Sequence, residues 1–293
     1  HGLLTFRLLS EQLGESHWFL RMLRDSAGAA QRLTKVLSGS RYVSDLMELI
    51  PESAAWFDGD EELAPTSLDV LESEVLAILA RHHEDDEAAL KAVRSMRRRE
   101  VLRLAIGGIL NVVDIYQISQ GLSDVTTAAL SGYLGIALRE EEHNPEFAVI
   151  AMGRYGGQEL GFDSDADVIY VYRGTPECDG ELAQKRAERI ILRIKELVED
   201  PRLPFEIDTD LRPEGKNGAI ARSLDSYAAY YARWSLMWEA QALLRARAVL
   251  GPQSLQQDMM TLIDSVRYPD GISADDVREI RRIKARVEAE RLP

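Results

Sequence analysis

Over its first 143 residues the chain repeats one pattern, with apolar side chains at intervals of three and four, as in FRLLSEQL, SHWFLRMLRDS, AAQRLTKVL, RYVSDLMELI and SLDVLESEVLAILARHH. That spacing gathers apolar groups on one stripe of an α-helix, so residues 1–143 are expected to be almost wholly helical. Ser16 and Ser40 stand at the start of two similar segments, a faint hint of repeated helical hairpins, but two occurrences are too few for a solenoid. Glu84-Asp85-Asp86-Glu87 fits a solvated helix start, where acids suit the positive end of the peptide dipoles. The RRRE run at Arg97–Glu100 leads into VLRLAIGGILNVVDIYQISQGLSDVTTAALSGYL. This predicts a long amphipathic helix followed by a second one capped by Ser123 or Asp124.

The periodicity breaks at Asn144-Pro145. FAVIAMG is a continuous apolar run ending at glycine and DVIYVYR is another, both consistent with buried strands. A helix rich in Lys, Arg and Glu is expected over 181–199, and PFEIDTDLR alternates apolar and acidic residues as a third strand. From Ser223 onward the helical pattern returns, through SLDSYAAYYARWSLMWEAQALLRARAVLG and a C-terminal helix from Asp275. The expected class is α+β, with a helical region (1–143), a strand-bearing core (144–222) and a C-terminal helical bundle (223–293).

Composition narrows the function classes. At 45% apolar and 29% charged residues over 293 positions, the chain is a globular protein with room for two or three packed units. No apolar run approaches the roughly 20 residues that span a bilayer, which predicts no membrane partner. A single cysteine, Cys178, rules out an internal disulfide framework and suits a reducing cytoplasm. The net charge of −14 argues against a nucleic-acid partner, which needs a basic face. The chain lacks an initiating Met and ends within a helical pattern, as a piece of a longer protein would.

The chemistry concentrates in GGQELGFDSDADVIYVYR, from Gly156 to Arg173. Residues two apart on a strand share a face, about 6.6 Å along the chain, so Asp165 and Asp167 project side by side. In PFEIDTDLR, Glu206, Asp208 and Asp210 share one face, and Asp208 joins the other two aspartates if the strands are neighbours. Three converging carboxylates repel one another unless a cation neutralises them. An oxygen-only ligand set suits Mg²⁺ or Mn²⁺. Gly156-Gly157, lacking Cβ atoms, is expected to open a short helix and admit phosphate oxygens to the backbone. A metal beside a phosphate cradle predicts nucleotidyl or phosphoryl transfer.

A glycine pair, Asp-x-Asp opening a strand and a lone Asp on a later strand resemble the DNA polymerase β-like nucleotidyltransferase superfamily. The seven residues between Gly157 and Asp165 are fewer than in many of its members. The wider text, GRYGGQELGFDSDADVIYVY with FEIDTDLRPEGKNG and WSLMWEAQALLRARAV, is similar to one family, glutamine synthetase (glutamate–ammonia-ligase) adenylyltransferase. RRREVLRLAIGGIL and LSDV resemble that family's linker helices, so the likeness covers most of the chain. It implies a small mixed sheet of polymerase β-like topology between helical regions. It also implies transfer of AMP from ATP to a tyrosine hydroxyl of glutamine synthetase, with Asp165, Asp167 and Asp208 as catalytic metal ligands. Gly156 and Gly157 would hold the ATP phosphates, and Arg212, with Lys216 second, would contact phosphate or nucleotide. The family pairs this activity with phosphorolytic removal of AMP in a related half, and answers to a PII-type signal protein. The WEAQALLRAR wording resembles the adenylylating half more than the AMP-removing one. Asp210 departs from the arginine that many relatives carry there, which leaves Arg212 as the better cation for phosphate.

Other readings stand beside these. DSD also serves as turn chemistry, though the apolar run after Asp167, the glycines before it and the matching Asp208 favour metal ligation. Trp234, Trp238, Gln241 and Arg245 form one helical stripe, read as core. Arg245 and Arg247 fall on different faces, so at most one is expected at the active site while the other pairs with an acid. His82 and His83 diverge by about 100° on a helix and chelate poorly together. Arg97–Arg99 is read as a solvated face, and Cys178 as incidental. The rival functions are the AMP-removing direction, a nucleotide-sensing interaction module without catalysis, and a template-directed or RNA-tailing polymerase, the last disfavoured by acidity.

Overall fold

A computed structural model describes residues 2–234, 237–268, 271 and 273–291, with the side chains of Trp234, Met237, Trp238, Val287, Glu290 and Arg291 outside the described set. The expected core role of Trp234 and Trp238 therefore lies outside the described residues. The chain divides into two compact units, the first running to Tyr133 and including Leu160–Asp163, the second comprising Leu134–Glu159 and the chain from Ser164 onward.

The first unit is helical, as its periodicity predicts. It contains α1 (Gly2–Leu13), α2 (His17–Asp25), α3 (Ala27–Gly39), α4 (Arg41–Leu49), α5 (Leu68–Arg81) and α6 (Asp86–Leu110), with 3-10 turns at Pro51–Asp58 and Glu61–Leu63. Ser40 caps α4 by accepting the Val43 N–H at 3.2 Å, and Asp85 caps α6 by accepting that of Ala88 at 2.9 Å. The next helix, α7, spans Ile115–Ala137 and carries the division between the units. Its cap is not Ser123 or Asp124, which lie buried within it. Asp114 and Gln117 close it instead by exchanging side-chain and backbone bonds of 2.9 and 2.8 Å, a reciprocal capping box.

Arg97–Arg99 is not the solvated face its charge suggests. Arg97 is buried, and Arg99 grips Glu74 with bonds of 3.0 and 2.7 Å while donating to Glu100 at 2.7 Å. Glu100 is only 2% exposed and also accepts from Thr66 at 2.7 Å and Arg103 at 3.1 Å. The Arg103 guanidinium lies 4.6 Å from the Trp56 ring centre. Glu100 thus ties α6 to the segment before α5, Arg99 extends the link to Glu74 of α5, and the burial is tolerable because both carboxylate oxygens are bonded.

The second unit is built on a mixed sheet. Strand β1 (Glu146–Ala151) pairs antiparallel with β2 (Ala166–Arg173). The far edge of β2 is shared, in parallel, by two short strands, β3 (Ile207–Asp208) against its first residues and β4 (Ala221–Ser223) further along. The third strand expected over PFEIDTDLR therefore shortens to two residues, and residues 209–220 loop out before β4 returns to the same edge of β2. A fifth strand, β5 (Arg247–Leu250), pairs antiparallel with β1, with a register shift between Val149 and Ile150. This corrects the helical reading of RARAVL. One-turn α8 (Gly153–Gly156) follows β1, and α9 (Gly180–Val198) follows β2 with Ala183, Ala187, Ile190, Ile191, Ile194 and Leu197 buried at helical spacing. Helices α10 (Leu224–Trp234), α11 (Met237–Leu243) and α12 (Gln253–Arg267) follow. Their Tyr227, Tyr231, Leu255 and Met259 pack with Ile150 and Ile169 of the sheet. The last helix, α13, runs over Ala274–Arg291. Among the described residues no helix is long and apolar enough to cross a membrane.

Replacing Glu100 with alanine leaves two arginines without their shared acceptor. The expected cost is about 3 kcal/mol, the low end for breaking a buried pair because Arg99 is partly exposed. Amide-exchange protection along α6 should fall about a hundredfold. Unchanged protection would show that Glu100 contributes nothing.

Candidate functional site

The site sits where β2 begins. Parallel pairing sets Asp167 directly opposite Asp208, and Asp165 immediately precedes the strand. One carboxylate oxygen from each of Asp165, Asp167 and Asp208 lies within 4.8 Å of the other two. Among the described residues this is the one cluster of acids, histidines or cysteines close enough to share a metal ion. His82 and His83 do not contribute to any other. The Asp208 carboxylate is oriented locally, since its Oδ1 accepts the Asp210 backbone N–H at 2.7 Å. Such a two-residue turn is a favoured aspartate conformation, and it ends β3 after two residues.

The acids of the triad act on one another's charge. Burial first, then the charges of Asp165 and Asp208, push the Asp167 carboxyl up from 3.8 to about 6, against a smaller opposing pull from Arg154. The Arg154 guanidinium stands 3.6 Å from Asp165 Oδ1, too far to satisfy three acids, and is half-exposed. All donors in the cluster are oxygens of half-buried carboxylates, which suits a hard divalent cation.

The glycines act differently from the expectation. Gly156-Gly157 does not open a helix with free N–H groups. It closes α8, with Gly156 N–H bonded to Met152 O at 2.6 Å and Gly157 N–H to Gly153 O at 3.2 Å. Gly156 is needed for packing, because a Cβ there would overlap the carbonyl oxygens of Arg245 and Ala151. The glycine beside the acids is Gly153, at φ +51°, where a Cβ would overlap Asp167 Oδ2. Gly153 and Arg154 stand in the sequence as the glycine that stops FAVIAMG and the cation after it, a weaker signal than the glycine pair three residues on.

Arg212 is placed as a loop anchor. It is buried, and it donates to Gly218 O at 3.0 Å, Thr209 O at 2.8 Å, Thr209 Oγ1 at 3.0 Å and Lys216 O at 3.0 Å. Those bonds hold the loop that separates β3 from β4. Asp210, the departure from the family pattern, lies 3.6 Å from Arg212 and 3.2 Å from the exposed Lys216, so its charge is met within the same loop. Arg245 pairs with Glu159 at 2.6 Å, while Arg247 donates to the carbonyls of Gly156 and Tyr155 at 3.2 and 3.4 Å. Cys178 is buried and free.

The native Asp167 carboxyl holds its proton more tightly than an unfolded chain does, so its ionisation costs stability. The cost is absent below pH 3.8 and complete above about 6. In chelator at pH 8, Asp167→Asn should therefore melt higher by about 2–4 °C, from roughly 1 kcal/mol once solvent screening is discounted. Mn²⁺ should raise the melting temperature of the unsubstituted chain alone, and its affinity should weaken as pH falls through 6. A lower melting point for Asp167→Asn in chelator would contradict this account of the cluster.

Comparison with known proteins agrees with the geometry. The family model described as glutamate-ammonia ligase adenylyltransferase matches residues 30–261. A bifunctional glutamine synthetase adenylyltransferase/adenylyl-removing enzyme of Leifsonia xyli subsp. xyli is 56% identical over 296 residues, covering 100% of this chain and 29% of the relative. Proteins of the same name from Cutibacterium acnes and Mycobacterium tuberculosis are 44% and 42% identical, again across 100% of this chain and 29% and 30% of theirs. The chain thus spans about three-tenths of the length of the curated relatives it matches.

Proposed function

The chain belongs to the glutamate-ammonia ligase adenylyltransferase family, and from that premise we propose that its carboxylate triad serves transfer of AMP from ATP to a tyrosine hydroxyl of glutamine synthetase. The observation that carries this reading is the convergence of Asp165, Asp167 and Asp208 within 4.8 Å. The relatives' names give glutamine synthetase as the target and both transfer and removal as activities.

In this reading the three aspartates hold Mg²⁺ or Mn²⁺, which when bound neutralises triphosphate charge and favours the ionised form of the attacking hydroxyl. The chain's own groups supply the rest. The Asp210 N–H fixes the Asp208 carboxylate, and Gly153 leaves space for that of Asp167. Arg154, half-exposed beside Asp165, takes the phosphate-binding role expected of Arg212, whose guanidinium is committed to its own loop. Gly156 and Gly157 serve the nucleotide indirectly, by keeping the α8 turn tight. The tyrosine oxygen bonds to the α-phosphorus as the bond to pyrophosphate breaks, and the hydroxyl proton is lost to solvent.

The WEAQALLRAR segment, which resembles the adenylylating half, favours transfer over removal. Incubation with α-labelled ATP, Mg²⁺ and unmodified glutamine synthetase should label the synthetase. An Asp165→Asn, Asp167→Asn double variant should lower the rate by more than about a hundredfold. Equal labelling by both proteins would overturn the mechanism. Phosphate-dependent release of ADP from modified synthetase, without forward labelling, would assign the chain to the AMP-removing direction.

A further inference from the structure

The α8 turn that borders the triad is short. Four residues form one helical turn, well short of a length that is stable alone. It is bracketed by two left-handed residues, Gly153 at φ +51° and Gln158 at φ +56°. The second is not a glycine, and that conformation costs a side-chain-bearing residue free energy that its surroundings must offset. Yet the start of this turn lies against Asp167 closely enough to exclude a Cβ at Gly153. Support from outside the turn adds to its own backbone bonds.

That support comes from β5. Arg247 is paired with Ala151, the last residue of β1, and on its other side Ala151 is paired with Val168 of β2. The Met152 N–H then bonds to Asp167 O at 2.8 Å. From the start of β5 the guanidinium reaches over the turn, with Nε donating to Gly156 O at 3.2 Å and Nη2 to Tyr155 O at 3.4 Å. Its carbon lies 5.9 Å from the centre of the buried Tyr155 ring. Both carbonyls lie at the C-terminal end of the turn, where Tyr155 O also accepts the Gln158 N–H at 3.2 Å, and a cation there meets the negative end of the peptide dipoles. The preceding residues close the other side, where the Arg245 carbonyl packs on Gly156 and its side chain pairs with Glu159.

We infer that Arg247 is a positioning residue for the metal site. It fixes the C-terminal carbonyls of the α8 turn, so that Gly153 at the other end confines the Asp167 carboxylate to the geometry the triad requires. The inference rests on the reading of the triad as a metal site. Arg247 touches neither the acids nor the reacting groups, so its effect is transmitted wholly by the turn. A lysine keeps the charge and the aliphatic stem but not the fork that serves two carbonyls at once.

The test is Mn²⁺ affinity, followed by electron paramagnetic resonance of the free ion, in the 293-residue chain and its Arg247→Met, Arg247→Lys and Asp165→Asn variants. Arg247→Met should weaken binding by at least about tenfold, as loss of an outer support typically does. Arg247→Lys should fall between it and the unsubstituted chain, and both should melt within about 3 °C of that chain. A purely structural role would lower the melting temperature and leave the affinity of the folded fraction unchanged, which overturns the inference. If Arg247→Met does not fold, Arg247→Lys decides alone, weaker binding supporting the inference and unchanged binding overturning it. Binding in the unsubstituted chain that Asp165→Asn does not reduce would instead overturn the metal reading on which the inference rests.

Discussion

Three carboxylates are held together against their own repulsion at the open end of β2, and the architecture of the second unit answers to that constraint. Parallel pairing of β2 with β3 sets Asp167 against Asp208. Antiparallel pairing with β1 delivers Gly153 to the same corner, and the Asp210 N–H turns the Asp208 carboxylate inward. None of these contacts neutralises the cluster. Burial and mutual charge raise the Asp167 carboxyl to about 6, and Arg154 offsets only part of that. Such an arrangement is costly unless a ligand of opposite charge joins it.

The loops around the triad divide into those that hold and those that remain available. Arg212 bonds to three residues of its own loop and keeps β3 and β4 on one edge of β2. Arg247 bonds to the end of the α8 turn. Arg154, by contrast, stands 3.6 Å from Asp165, also pulls on Asp167, and keeps a side chain about half exposed. Three arginines near one site thus differ in what their donors already satisfy. That difference, rather than sequence proximity to the aspartates, separates structural cations from one that a phosphate could recruit.

Much of this was legible in the sequence because the signals were long or chemically unusual. The helical first unit followed from sustained periodicity, β1 and β2 from continuous apolar runs, and the triad from acids placed at the mouth of an apolar strand. The elements missed were short. Strand β4 has three residues and β5 four, and β5 begins with an arginine in what reads as the tail of a helical pattern. Strand pairing, not local propensity, makes it a strand. The start of α7 was misplaced although Asp114-Ile115-Tyr116-Gln117 carries a capping-box spacing, because the apolar run continues across it. The burial of Arg97 and Glu100 was illegible for a different reason, since which acids reach which cations across helices is decided by packing alone.

The account is tested most directly by anomalous diffraction from crystals of the chain grown with Mn²⁺ and a non-hydrolysable ATP analogue. It predicts a manganese peak bonded to one carboxylate oxygen each from Asp165, Asp167 and Asp208, with the nucleotide phosphates on the same ion and Arg154 turned toward them. A peak elsewhere, or an Arg154 guanidinium filling the triad with no metal bound, would contradict it.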